Sequence, residues 1–82
     1  RNVGLELDLR GMTVDEAIER TDKYLDDAIM SGLSEVALIH GKGTGTLRNG
    51  IHQYLKTNRN VKSFRLGKAG EGDTGVTIVQ LG

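Results

Sequence analysis

The feature that most constrains this chain is a glycine-rich run, His40 to Arg48, which joins stretches of different hydrophobic period. The apolar residues 36–39 before the run are typical of a short buried strand. The apolar residues after it recur at helical spacing, at Leu47, Ile51, Tyr54 and Leu55. The pattern therefore predicts a strand that passes through a glycine-rich turn directly into a helix.

The same run has the properties of an anion site. Glycines at positions 41, 43 and 45 permit positive φ and a close approach to a ligand. A helix N-terminus offers unpaired N–H groups and about half a positive charge. With Lys42 and Arg48 beside it, the run predicts a site suited to phosphate. The alternative is a strand-to-helix turn that binds nothing.

The run matches neither of two common nucleotide-binding motifs. The P-loop places its first glycine farther from a Gly-Lys-Ser/Thr ending. The dinucleotide fingerprint needs glycine or alanine where Thr46 stands, and an acid about twenty positions later. Residues 62–68, which occupy that place, are basic. A domain that binds small nucleotides is therefore disfavoured.

Length and composition exclude several classes. A chain of 82 residues makes one small domain, and without cysteine it has neither disulfides nor a thiolate zinc site. No apolar run is long enough to span a membrane, and the start is not a signal peptide. Because the chain also begins without Met, we expect a soluble, cytoplasmic domain cut from a larger protein.

The net charge is zero, but the charges are segregated along the chain. Acids predominate up to Ile39, and bases predominate from His40 onward. If the second half forms one face, that face could bind a polyanion while an acidic helix stays in water. The alternative is an ordinary mixed surface.

Alternation and capping signals predict the elements. Leu5, Leu7 and Leu9 alternate with acids as in a half-buried strand, and Thr13 with Glu16 forms a capping box. The helix that follows has an apolar stripe to Ile29 and ends near Gly32. The remaining pattern predicts a strand over 35–40, a helix over 47–57, a strand over 61–66, a glycine-dense loop over 67–75 and a strand over 76–81.

This order, βαβαββ, predicts an α/β fold with a mixed four-stranded sheet. Right-handed crossovers make the first three strands parallel where they are neighbours, and the last two can form a hairpin. The two helices could share one face or cover one face each. In either case residues 8–11 and 40–43 lie at the carboxyl ends of the first two strands, where ligands of open α/β sheets bind.

Three stretches together resemble the Smr (small MutS-related) domain: residues 7–11 (Leu-Asp-Leu-Arg-Gly), residues 40–48 and residues 75–81. The chain is most similar to the C-terminal Smr domain of bacterial MutS-like paralogues. The resemblance implies a two-layer α/β sandwich over residues 1–82, like the C-terminal domain of translation initiation factor three. It also implies a larger homodimeric parent whose separate ATPase domain binds ATP.

The family resemblance implies an activity as well. Smr domains are associated with nicking of DNA, notably branched recombination intermediates, and some members act on RNA or at stalled ribosomes. The implied partners are therefore DNA or RNA, and the ribosome, in a bacterial cytoplasm. Asp8 falls on the family's Leu-Asp-Leu-Arg/His-Gly motif, and His40, Gly41 and Gly43 fall on its His-Gly-x-Gly motif.

Two residues are candidates for catalysis. His40 has a side chain that can transfer protons near neutral pH. Asp8 could orient His40, hold a divalent cation such as Mg²⁺ or Mn²⁺, or act as a base. The alternatives are a histidine hydrogen-bonded to the next turn and an aspartate that bonds the backbone near Gly11.

The candidates for phosphate binding share a place on or near the glycine run: Arg10, Gly41, Lys42, Gly43, Thr44, Gly45, Thr46, Arg48 and Lys68. Arg65 could extend the same basic track. Aromatic residues are few, so we expect backbone-led, sequence-tolerant and salt-sensitive binding. Because Asp8 is the only acid expected at the centre, a second hypothesis is a non-catalytic module that grips nucleic acid or a ribosome for the parent ATPase.

Overall fold

A computed structural model describes residues 3–82, and the order of its elements is the predicted one. A single 3₁₀ turn over Asp73–Gly75, which the sequence pattern did not predict, precedes the last strand. The strands and helices are β1 (Glu6–Asp8), α1 (Val14–Met30), β2 (Glu35–Ile39), α2 (Thr46–Thr57), β3 (Val61–Leu66) and β4 (Val76–Leu81). Within residues 3–82, no helix has the length and apolar character needed to cross a bilayer.

The four strands form one mixed sheet in the order β1-β2-β4-β3. β1 and β2 are parallel, with Asp8 opposite Ile39, while β4 runs antiparallel to both β2 and β3. The predicted hairpin of the last two strands is therefore confirmed. Because β4 inserts beside β2, the start of β4 lies at the same sheet edge as the ends of β1 and β2.

Both helices cover the same face of the sheet. The core joins residues of α1 and α2 to alternate residues of the strands, namely Leu7, Leu9, Ala17, Leu25, Ala28, Val36, Leu38, Ile51, Leu55, Val79 and Leu81. The helices also touch each other, because a Cβ at Gly50 would lie 2.5 Å from Cγ1 of Val14. Of the two arrangements left open by the sequence, the structure has the two-layer one, with one face of the sheet free of helices.

The ends of α1 follow the predicted signals. Thr13 and Glu16 exchange both bonds of a capping box, at 2.9 and 3.2 Å. Gly32, with φ of 80°, ends the helix and lets the N–H of Leu33 donate to the carbonyl of Ala28 at 3.0 Å. This fixes the long acidic helix on the sheet.

Two strands depart from simple alternation. β1 is shorter than predicted, since Leu5 lies outside it and is 66% exposed. β3 contains an irregularity between Val61 and Ser63, which leaves both Lys62 and Ser63 exposed. Both strands lie at the edges of the sheet, where pairing on one side only tolerates such departures.

Candidate nucleic-acid interface

At the end of the sheet where β1 and β2 finish, a cleft of about 310 Å³ lies between the turn before α1 and the glycine run. It is lined by Gly11, Met12, Thr13, Val14, His40, Gly41, Lys42, Gly43, Thr44, Gly45, Thr46, Leu47 and Arg48. Most of the predicted phosphate-binding residues therefore lie together. A larger concavity of about 500 Å³ runs along α1, where two acids, Glu16 and Glu19, offset the charges of Arg20 and Lys23.

The start of β4 supports the floor of this cleft. The carbonyl oxygen of Gly75 accepts from the N–H groups of His40 and Gly41, at 3.1 and 2.9 Å. A Cβ at Gly75 would lie 3.4 Å from Cγ of Lys42 and 3.5 Å from the carbonyl carbon of Gly41. These are ordinary van der Waals distances, so the residue before β4 packs directly against the glycine run. This contact explains why three separate stretches of sequence meet here.

The N-terminus of α2 opens into the cleft without a side-chain cap. Gly45, the N-cap residue, has φ of 88° and offers no side chain to accept the first N–H groups of the helix. The first turn contains no acidic residue to balance the positive helix end. The N–H of Thr46 donates a long hydrogen bond, 3.4 Å, to Oγ1 of Thr44. The backbone N–H groups of residues 47 and 48 thus remain suited to an external anion, which could also replace Thr44 as the acceptor of the Thr46 N–H.

Cationic side chains lie around this helix end. The guanidinium of Arg48 folds back over the loop, so that a Cβ at Gly45 would lie 2.6 Å from one of its nitrogens. Lys42 is exposed, and its ammonium lies 3.3 Å from Oδ2 of Asp73. The stem of Arg10 passes Gly41, where a Cβ would lie 3.4 Å from its Cγ.

The loop over residues 67–75 is held by a second ion pair. Arg65 donates two hydrogen bonds to Glu71, at 2.8 and 3.0 Å, and Glu71 also accepts from the backbone N–H of Lys68. The side chain of Arg65 is therefore engaged with a carboxylate. Lys68 lies in this loop and not among the residues that line the cleft.

Asp8 is held by Arg10 next to the cleft. Its Oδ1 accepts from the backbone N–H and Nε of Arg10, both at 3.0 Å, and its Oδ2 accepts from the guanidinium at 2.8 Å. The side-chain hydrogen bonds from Arg10, helped by the backbone N–H, lower the pKa of Asp8 to about 2. The carboxylate is ionised at neutral pH and is a weak base.

His40 is 5% exposed, at the end of the helix-covered face. Its Nδ1 lies 2.9 Å from the carbonyl oxygen of Gly41, and its Nε2 lies 2.8 Å from Oγ1 of Thr77. Burial lowers the pKa of His40, the hydrogen bond to Gly41 acts in the opposite direction, and the charge of Arg48 lowers it further. The imidazole is therefore neutral at pH 7.

The structure does not bring the side chains of Asp8 and His40 together. Asp8 is paired with Ile39, the residue before His40, and side chains alternate between the faces of a sheet. Asp8 therefore points to the face without helices, whereas His40 points to the core. The alternation of Leu7 and Leu9 with Asp8, and of Val36 and Leu38 with Ile39, already contained this information.

A divalent cation stays a prediction. Among residues 3–82, no three or more histidine, aspartate or glutamate side chains gather to hold a metal ion. Asp8, the carboxylate nominated as a ligand, already has both oxygens hydrogen-bonded to Arg10. The residues present do not fit a resident metal site.

Three residues of the site were missed by the sequence analysis. Thr77 contacts His40 from β4, His52 contacts Thr77 from α2, and Asp73 pairs with Lys42. A usable signal existed for Thr77, which is a polar residue at an inward-facing position of the last strand. The pairing of Asp73 depends on the conformation of a loop and had no such signal.

Comparisons with known proteins agree with this geometry. The profile of the Smr domain matches residues 7–82. Over 81 residues the chain is 62% identical to "Endonuclease MutS2" of Acetivibrio thermocellus, covering 99% of this chain and 10% of that protein. Over 80 residues it is 56% identical to "Putative endonuclease MutS2" of Bacillus subtilis, covering 98% and 10%. The chain thus spans about a tenth of the length of these curated relatives.

Two solved structures are also similar. The crystal structure of the Smr domain of Thermus thermophilus MutS2 matches with a TM-score of 0.93 and 47% identity, covering 96% of this chain and 99% of that one. The structure of YdaL, a stand-alone small MutS-related protein from Escherichia coli, matches with a TM-score of 0.88 and 24% identity, covering 94% and 63%. The second likeness concerns the fold alone.

Proposed function

This chain belongs to the Smr domain family, and we propose that it binds the sugar-phosphate backbone of nucleic acid in the glycine-run cleft and nicks the strand there. The observation that carries the proposal is the uncapped N-terminus of α2, which opens between Lys42 and Arg48. Relatives named endonuclease MutS2 support the reaction class.

Binding in this proposal is led by the backbone. The N–H groups of residues 46–48 donate to phosphate oxygens, and the guanidinium of Arg48 adds a charged donor above the loop. The ammonium of Lys42 leaves the carboxylate of Asp73 and pairs with the phosphate, which is possible because the side chains of Lys42 and Asp73 are both exposed. Among the described residues that line the cleft there is no Phe, Tyr or Trp, and the ring of His40 is nearly buried, so bases are not stacked there and binding tolerates sequence.

Nicking requires an acceptor for the proton of the attacking water and groups that stabilise charge on phosphorus. The helix N–H groups and Arg48 stabilise the charge, while the guanidinium of Arg10 is held by Asp8 and only its aliphatic stem lies beside Gly41. His40 is neutral and has a nitrogen lone pair that can accept the proton once a bound strand draws Nε2 away from Thr77.

A second candidate function is a non-catalytic module that binds DNA, RNA or a ribosomal surface for a larger ATPase. It is favoured by the observation that both ring nitrogens of His40 are hydrogen-bonded inside the protein. The pairing of Asp8 with Arg10 on the other face of the sheet points the same way.

The binding part is tested by fluorescence anisotropy with duplex DNA, branched DNA and single-stranded RNA over a range of salt. The domain can be used alone, because the solved Smr domain of Thermus thermophilus MutS2 corresponds to almost the same length of chain. Lys42→Ala and Arg48→Ala should each weaken binding to all three probes and reduce the salt slope by about one. Lys23→Ala on α1 is the matched control and should change neither. Unchanged slopes for Lys42→Ala and Arg48→Ala would exclude the cleft.

The nicking part is tested on supercoiled plasmid with nuclease-free protein, with and without Mg²⁺ or Mn²⁺. The proposal expects nicking by the wild type and its loss in His40→Ala with binding retained. A domain that binds the plasmid but never nicks it supports the second candidate, and a parallel assay with purified ribosomes then tests that surface. Loss of binding in His40→Ala would give His40 a structural role.

A further inference from the structure

Beneath the cleft, two histidines and a threonine form a continuous hydrogen-bonded chain. Nε2 of His52, on α2, lies 2.7 Å from Oγ1 of Thr77 on β4. The same oxygen lies 2.8 Å from Nε2 of His40, whose Nδ1 lies 2.9 Å from the carbonyl oxygen of Gly41. Thr77 is fully buried and His40 is nearly so, which shields the contact between them from solvent, while the contacts to His52 and to the Gly41 carbonyl are part-buried.

The direction of each hydrogen bond can be assigned by starting from the carbonyl of Gly41, whose role is fixed. A carbonyl can only accept, so Nδ1 of His40 carries its hydrogen toward Gly41. A neutral His40 then has a lone pair at Nε2, which accepts the hydroxyl hydrogen of Thr77. Thr77 has no second hydrogen to give, and therefore Nε2–H of His52 donates to Oγ1.

We propose that His52 is a positioning residue: by donating to Thr77 it turns the Thr77 hydroxyl hydrogen onto His40 and holds His40 as the neutral Nδ1–H tautomer against the Gly41 carbonyl. The inference rests on the proposed function only in assigning His40 and Gly41 to the nucleic-acid site. This series of hydrogen bonds reaches the glycine run at Gly41, which accepts from His40. The N–H of Gly41 in turn donates to the carbonyl of Gly75 at 2.9 Å.

The groups around the two rings favour the same protonation state. A proton on Nε2 of His40 would point at an oxygen that already accepts from His52, and the Thr77 hydrogen would lose its acceptor. Burial lowers the pKa of both histidines. The charge of Arg48 lowers both further, while Lys56 and His40 lower that of His52.

The packing fixes His52 in place. Its ring meets that of His40 edge to face, with centroids 6.0 Å apart, and the centroid of the Phe64 ring on β3 lies 4.9 Å away. Contacts with two rings restrict the orientation in which His52 presents Nε2 to Thr77. The three hydrogen-bonded side chains and the ring packed against them thus come from the end of β2, from α2, from β3 and from β4.

Two pairs of variants separate the hydrogen bond from the packing. His52→Gln keeps an N–H donor near the position of Nε2, whereas His52→Leu removes it and retains an apolar body. Thr77→Ser keeps the hydroxyl, whereas Thr77→Val removes it at similar volume. Backbone amide spectra of each variant establish that it is folded before the rings are measured.

The experiment is an NMR titration of the ring nitrogens in the domain without nucleic acid. The wild type should show His40 protonated at Nδ1 and His52 at Nε2. His52→Leu should move the His40 midpoint to higher pH by roughly half a pH unit or more, because Thr77 is then free to accept from a protonated His40. His52→Gln and Thr77→Ser should keep the wild-type tautomer and midpoint, whereas Thr77→Val should keep the tautomer, because the Gly41 carbonyl still accepts from Nδ1, but lose the wild-type midpoint, because Nε2 then has no hydroxyl partner.

An Nε2–H tautomer of His40 in the wild type would overturn the proposal, as would an unchanged His40 midpoint in His52→Leu. If His52→Leu does not fold, a wild-type His40 midpoint in Thr77→Val would overturn it instead. Since no nucleic acid is present, the result is independent of whether the domain binds or nicks a strand. If the wild type nicks, its pH profile should shift in His52→Leu together with the His40 midpoint and be restored in His52→Gln.

Discussion

The ammonium of Lys42 lies 3.3 Å from Oδ2 of Asp73, which links the glycine run to the turn before β4. The two side chains are 65% and 59% exposed, so the pair is screened by water and contributes little to stability. A phosphate that enters the cleft must compete with Asp73 for Lys42. If the cleft binds phosphate as proposed, the carboxylate of Asp73 lowers its affinity for anions.

Asp73→Asn should raise the affinity for a DNA duplex about two- to fivefold at low salt, because it removes the competing charge. Asparagine is the appropriate replacement, since Asp73 has φ of 56° and asparagine tolerates this region better than most side chains. Fluorescence anisotropy measures the change. Glu19→Gln on α1 removes the same charge far from the cleft and should have no effect, and equal gains from both variants would attribute the change to net charge alone.

Gly45 and Gly70 provide a matched test of the loop. Both have positive φ, 88° and 90°, so alanine costs about 1–2 kcal/mol of stability at either position. Only at Gly45 does the new Cβ meet a side chain, the guanidinium of Arg48 at 2.6 Å, whereas at Gly70 there is open space. Gly45→Ala should therefore lose nucleic-acid affinity, by roughly fivefold or more, while Gly70→Ala should keep it. Similar affinities for the two variants in anisotropy would contradict a role for the loop.

Stability should fall as the pH is lowered below about 6.5. Burial lowers the pKa of His40 and His52 from 6.5, so the unfolded chain binds more protons than the folded one in that range. The unfolding free energy therefore decreases as pH falls through 6.5 toward the folded values. The stability contributed by the ionised carboxylates of Asp8 and Glu71, whose pKa values are lowered to about 2, is lost only at more acidic pH.

Urea unfolding at several pH values between 8 and 5 measures this dependence. His52→Gln removes one of the two histidines and should flatten the curve in part. A free energy that is constant from pH 8 to 5 would contradict the buried, neutral state of both rings.

Thr21 and Thr77 are both fully buried, but they differ in their partners. The hydroxyl of Thr77 bonds two histidines, whereas within residues 3–82 that of Thr21 has no hydrogen-bond partner. Thr21→Val should therefore stabilise the domain by about 1 kcal/mol, and Thr77→Val should destabilise it by about 1–3 kcal/mol. Denaturant unfolding at pH 7 measures both. A loss of stability in Thr21→Val would mean that its hydroxyl is satisfied in solution.

Much of the fold follows from short-range patterns. The capping box at Thr13, the glycine after α1 and the alternation in the strands are local signals, and each predicted its element. The shared face of the helices did not follow, because it depends on the contact between Gly50 and Val14, which are distant in sequence. Gly50, a glycine within α2, is the feature of the sequence that reflects this contact.

The backbone conformation of the candidate site was predictable from the sequence, whereas the partners of its side chains were less so. The glycines at 41, 43 and 45 all have positive φ, as a run built for close approach requires. The partners of Asp8 and His40 depend on which face of the sheet each residue occupies and on what β4 presents there. The alternation of residues along the strands contained the first, although Asp8 was nominated as a partner of His40 without it. The insertion of β4 beside β2 is a long-range pairing that local patterns do not encode.

Phosphate bound at the N-terminus of α2, as proposed, should perturb the backbone amides there, and this is measured by NMR. A short DNA duplex is titrated into ¹⁵N-labelled domain, and the backbone N–H signals are followed. The account predicts saturable shifts of the amides of residues 43–48, with those of α1 between Glu19 and Met30 unmoved. Amides of residues 43–48 that stay in place while the duplex binds elsewhere would contradict it.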